Sequence, residues 1–154
     1  MRHRWTALVL IAVCGLAAGP ASAEDLGAAI RDGAPERIVE ALNGYQGLWG
    51  EQPPDDPVVR RAQARILDLE LSRLGPLLSG LRVPLHGGEV FEALDRRGRR
   101  SGREGAAFAS VLLARERAAD GGVTLLDDET RLMLATNRAR LRRTSDLGPE
   151  RERA

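Results

Sequence analysis

His86 is one of two histidines in the 154-residue chain; the other, His3, lies in the leading segment. It sits in a Pro- and Gly-punctuated stretch, residues 84–88, with Glu89 three positions on. An imidazole near a carboxylate is the minimum for general base catalysis or for one arm of a metal site. Tetrahedral zinc needs more nitrogen or sulfur ligands than this. The single Cys, Cys14, is in the leader, and no Gly-x-Ser-x-Gly elbow occurs. His86 with a carboxylate is therefore the one enzyme candidate, directed at the cell wall or a small metabolite. Paired acids at Asp55-Asp56 and Asp127-Asp128 resemble no cleft pair of a glycosidase. Both stand at predicted helix starts, where capping accounts for them.

A denser cluster is basic. Arg96, Arg97, Arg99, Arg100 and Arg103 are interrupted only by Gly98, Ser101 and Gly102, with Asp95 and Glu104 at the edges. One reading is a solvated stretch in a composition whose basic residues are all Arg. The other is a surface for an acidic protein partner or an anionic membrane face. Nucleic acid is disfavoured, because no aromatic side chains interleave with the arginines. Tyr45 and Trp49 supply a second pair of readings: a lid over the core, or an anchor for a partner.

Residues 120–124, Asp-Gly-Gly-Val-Thr, resemble the second half of an EF-hand loop. In that register Glu116, Asp120 and Asp127 would be the carboxylate ligands of a calcium site across 116–127. Ala118 stands where a ligand oxygen is needed, and Asp127 is shorter than the usual final Glu. A Gly-Gly turn between two helices, followed by acidic helix-start residues, explains the same pattern. No cofactor is expected.

The leader sets the compartment. Arg2, His3 and Arg4 precede an apolar run at 6–18, and Ala21-Ser22-Ala23 is a small-x-small site before Glu24. This is the pattern of a cleaved secretory signal over residues 1–23. The apolar run is too short for a span of about 20 residues. Cys14 follows Val13, not the small residue that a bacterial lipoprotein signal places there. The expected product is periplasmic or secreted, with 131 residues, 21 Arg against 22 acids, and no Cys. A chain of this length without disulfides must rest on its core, burying about two-thirds of its unfolded surface. Its charge is divided: residues 24–92 carry 12 acids and 7 Arg, and residues 93–154 carry 10 acids and 14 Arg.

The elements that must position these groups read as helices, since apolar residues recur every three to four positions and none alternate over strand length. Helices are expected over about 25–32, 35–42, 57–74, 89–97, 104–119 and 127–143. Pro35 and Pro57 suit first helical turns. Gly75-Pro76 reads as a kink or a helix end, Gly98 as a helix end, and Ser101 with Glu104 as a capping box. Residues 26–42 resemble one unit of a helical solenoid, far short of the roughly three repeats such an array needs. The expected fold is a single all-α domain over 24–143, a helical bundle or hairpin domain of four to six helices. A polar flexible tail, 144–154, follows. The function expected is that of a non-enzymatic accessory, adaptor or chaperone-like protein of the bacterial envelope, binding through Tyr45, Trp49 and the five arginines. Oligomeric state stays open.

Overall fold

α1 (Ala23–Asp32) begins at Ser22, whose hydroxyl accepts from the Asp25 N–H at 3.2 Å while the Asp25 carboxylate accepts from the Ser22 N–H at 2.8 Å. This reciprocal box satisfies two of the free donors at the helix start in the full chain, and cleavage after Ala23 would remove its Ser22 half. Gly33 ends the helix at φ 77°, a left-handed conformation that favours glycine. Pro35 then opens α2 (Pro35–Asn43). A computed structural model describes residues 22–45, 55–119 and 123–146. Most of the leader, Trp49, Asp120 and residues 147–154 lie outside them.

Asp56 caps α3 (Pro57–Leu67) by accepting from the Val58 N–H at 2.9 Å. The expected helix over 57–74 is in fact two. Residues 68–70 break it, and α4 (Leu71–Gly80) follows. Val59, Ala62, Ile66, Leu67, Leu74 and Leu78 are all fully buried, while Leu69 and Leu71 are partly buried. The break is stabilised from a distance, by the arginines of α5, as set out below. Pro76 sits within α4 and does not end it.

α5 (Gly87–Arg100) runs straight through Gly98. Only Ser101 separates it from α6 (Gly102–Ala118). The Ser101 side chain makes no cap bond, so the expected capping box is not formed; Glu104 faces Arg97 and Arg100 instead. A one-residue connection folds α6 back along α5, and the glycines allow the approach. A Cβ on Gly105 would lie 3.0 Å from Gly98 Cα and 2.8 Å from Leu141 Cδ1.

α7 (Asp128–Asp146) packs along α6 and extends three residues past its expected end, so residues 144–146 are helical. There are thus seven helices and no strand among the described residues. The all-α class holds, and the expected count of four to six is low by one because of the break at 68–70. Every helix feeds one core: Leu26, Leu42, Ile66, Leu78, Leu94, Leu112 and Leu134 are among its members. Leu125 and Leu126 join from the α6–α7 connection, which is tied to the α4–α5 loop by Leu85 N–H donating to Leu125 O at 2.8 Å.

Candidate interaction surface at the α5–α6 corner

The five arginines divide by direction. Arg97 points inward and is 3% exposed. Its guanidinium donates to Leu67 O at 2.9 Å and Leu69 O at 2.5 Å, which are carbonyls left open where α3 stops. It donates to Glu104 at 3.1 Å and stacks over Phe108, 5.0 Å from the ring centroid. A cation at a helix C-terminus suits the helix dipole. Burial pushes the Arg97 pKa down, and Glu104 opposes that shift. The group is an internal staple and is closed to a partner. Arg115 repeats the device on α6, donating to Leu78 O at 3.0 Å and Leu81 O at 3.4 Å at the end of α4.

Arg96, Arg99 and Arg100 point outward and line one shallow depression with Asp68. Arg96 donates to Asp68 at 2.8 Å, Arg99 pairs with Asp95 at 2.6 Å, and Arg100 meets Glu104 at 3.3 Å. Exposed pairs of this kind contribute about 0–1 kcal/mol each, so a partner's carboxylates can compete for these arginines. Arg103 lies round the corner and shares a groove with Arg142, Ser145 and Asp146. Arg142 reaches the Ser110 hydroxyl at 3.3 Å. Arg140 and Arg142 stand about forty positions further on, and nothing in the local sequence links them to this cluster. The missed signal is tertiary: α7 ends against the start of α6, where a Cβ on Gly102 would meet Ser145 Oγ at 2.8 Å. At this corner six guanidiniums, of residues 96, 97, 99, 100, 103 and 142, meet five carboxylates, of Asp68, Glu92, Asp95, Glu104 and Asp146.

Tyr45 is on another part of the molecule. Its ring packs against the core and its hydroxyl donates to Asp56 at 2.6 Å, so the end of α2 is tied to the start of α3. The structure does not bring Tyr45 to the arginine corner, and Trp49 lies outside the described residues. The Tyr45 bond holds the Asp56 carboxyl below its ordinary value, with the Val58 N–H adding to the effect. The same bond raises the Tyr45 phenol. A lowered carboxyl contributes stability that is present above its unfolded value and lost as pH falls through the folded one. A raised phenol contributes stability that is present below its unfolded value and lost as pH rises through the folded one. Tyr45→Phe removes the alkaline contribution and leaves only the Val58 share of the acid one. Thermal midpoints from about pH 2 to about pH 11 should show both limbs flattened in the variant; superimposable curves would refute the tie.

The calcium reading meets occupied ligands. Glu116 accepts from the Leu125 N–H at 2.8 Å and so closes the α6–α7 hairpin. Asp127 caps α7, accepting from the Thr130 N–H at 2.6 Å. Among the described residues no group of three or more His, Cys, Asp or Glu side chains could hold a metal. His86 precedes α5, and its backbone N–H donates to the buried Gln63 side chain at 2.8 Å. Glu89 turns to Arg60, at 2.8 Å. Among the described residues no helix is long and apolar enough to cross a membrane. Comparison with protein-family models, with curated proteins and with solved structures finds no match in any of the three.

Proposed function

We propose that this is an exported, non-enzymatic helical interaction protein, an adaptor or chaperone-like subunit of an envelope system, that docks an acidic protein through its α5–α6 corner. The observation that carries the reading is the gathering of Arg96, Arg99 and Arg100 at one depression, held there only by exposed or half-exposed pairs to Asp68, Glu92, Asp95 and Glu104, with Arg103 and Arg142 beside them. Positive charge in excess over local acids steers an acidic partner and raises the encounter rate. Two helices joined by one residue give this surface a fixed shape, so little ordering cost accompanies docking. Export rests on the leader: a basic start, a short apolar run and Ala21-Ser22-Ala23. Peripheral contact with an anionic membrane face is the companion reading, drawn from the same arginines.

The test is capture from native envelope extract with the tagged, processed protein at about 0.05 M and about 0.5 M salt. Exposed charges lose most of their reach at the higher value, where the Debye length falls to about 4 Å. One stoichiometric protein partner, retained at low salt and released at high salt, is expected. A column that retains no protein at low salt would overturn the reading.

A further inference from the structure

α5 and α7 both lie on α6 and run side by side in the same direction. A Cβ on Gly87 would meet Thr130 Oγ1 at 2.6 Å, and one on Gly98 would meet Leu141 Cδ2 at 3.5 Å. Between the two helices is an open groove of about 230 Å³. Leu94 and Leu141 line its floor, Asp95, Arg99, Asn137 and Arg140 its polar side, and Gly98 adds no side chain to it. Phe91 stands at its edge with 52% of its surface exposed. The chain has only two phenylalanines, and the other, Phe108, is fully buried. An aromatic ring left half in water beside an apolar groove marks a contact surface.

The groove's charge says what would cover it. Arg99 and Arg140 flank it, and Arg96 and Arg100 follow on the same side of the corner. Its one acid, Asp95, is engaged by Arg99. Arg140 spends one N–H on Asn137, at 3.0 Å. The remaining donors of both guanidiniums are open to carboxylates. From Phe91 to Gly98 is two helical turns, roughly 10 Å. That length matches a helix with apolar anchors at i, i+4 and i+7.

We propose that the α5–α7 groove is the docking site for an acidic amphipathic helix of a protein partner. Its apolar stripe covers Phe91 and Leu141 over the buried Leu94, and its carboxylates meet Arg99 and Arg140. The inference rests on the interaction reading above and adds an apolar, shape-specific component to it.

The probe is a synthetic helix of about four turns built from Leu and Glu, with Leu at helical spacing. It is compared with a scrambled peptide of the same composition and with a Leu/Lys counterpart. Each is titrated into the isotope-labelled, processed protein and followed by amide chemical shifts. The Leu/Glu helix should bind and shift the amides of Phe91, Gly98, Asn137 and Leu141. Scrambling the peptide or making Phe91→Ala should each weaken binding about tenfold. Phe91→Ala should lower the thermal midpoint by no more than a few degrees, because half of the ring is already exposed. Equal binding of the scrambled peptide, or an unaltered Phe91→Ala, would overturn the groove while leaving a charge-only surface intact. Equal binding of the Leu/Lys helix, or no peptide binding at all, would also overturn it. Phosphatidylglycerol vesicles shifting the same amides would assign the groove to a membrane, and shifts that grow with protein concentration alone would assign it to a second copy. Both results contradict the proposal. The salt-dependent capture decides the wider reading independently.

Discussion

Arg97→Ala destabilises the protein by about 3–5 kcal/mol, the loss expected when one member of a buried charged network is removed. The reason is local and specific. Arg97 is 3% exposed and serves two backbone carbonyls, Leu67 O and Leu69 O, that nothing else in its surroundings is shown to satisfy. Truncation leaves those carbonyls without their donors, Glu104 without one of its two arginines, and an empty volume over Phe108. A buried acceptor without a donor costs about 1–3 kcal/mol by itself. Lys does not restore the state, since an ammonium lacks the planar fork that spans several acceptors. Urea denaturation of wild type, Arg97→Ala and Arg97→Lys checks this. A loss under about 1 kcal/mol for Arg97→Ala would show that α3 and α4 do not need the staple. Arg96→Ala is the internal control. Its pair with Asp68 is exposed on both sides, so the cost should stay within about 1 kcal/mol.

Gly105→Ala has the second large effect, with a sign opposite to helix propensity. In an exposed helix interior, Gly to Ala stabilises by about 0.5–1 kcal/mol. At Gly105 the new methyl would sit 2.8 Å from Leu141 Cδ1 and 3.0 Å from Gly98 Cα. The second contact is backbone, and the single-residue link at Ser101 gives α5 little room to withdraw. Overpacking of this kind costs about 1–3 kcal/mol. Gly27→Ala makes the contrast. Its nearest neighbour is the end of the Arg31 side chain at 3.5 Å, so the substitution should stabilise. Thermal melts of the two variants should move in opposite directions. A Gly105→Ala protein that melts higher than wild type would contradict the close α5–α6 approach.

These two positions also mark where sequence reasoning stopped. Local chemistry was legible: Gly33, Pro35, Asp56 and Pro57 stand at helix boundaries, and the helically spaced Val59, Ala62, Ile66, Leu67, Leu74 and Leu78 are buried. The break at 68–70 was not legible, because its cause is an arginine about 30 positions away whose guanidinium supplies donors to the open carbonyls. Gly98 reads locally as a helix stop, yet its role is to let α6 and Leu141 come close. For the same reason Arg97 was indistinguishable from its neighbours. Five arginines in eight positions look alike until the helix turns one of them inward. Asn43 left no sequence signal either. It clamps the end of α4, donating to Gly80 O and accepting from the Arg82 N–H, both at 2.8 Å.

In the proposed function Arg96, Arg99, Arg100 and Arg103 face outward to bind, while Arg97 faces inward and supports the corner. Charge reversal would confound this, because Arg96, Arg99 and Arg100 each already face an acid. Replacing the four outward arginines together by Gln removes the positive surface with less repulsion. The decisive measurement is salt-dependent partner capture by this variant, alongside its thermal midpoint. The expected result is a folded protein melting within a few degrees of wild type that no longer retains the partner at low salt. Undiminished capture by a variant that keeps only Arg97 and Arg142 at the corner would overturn the proposed surface.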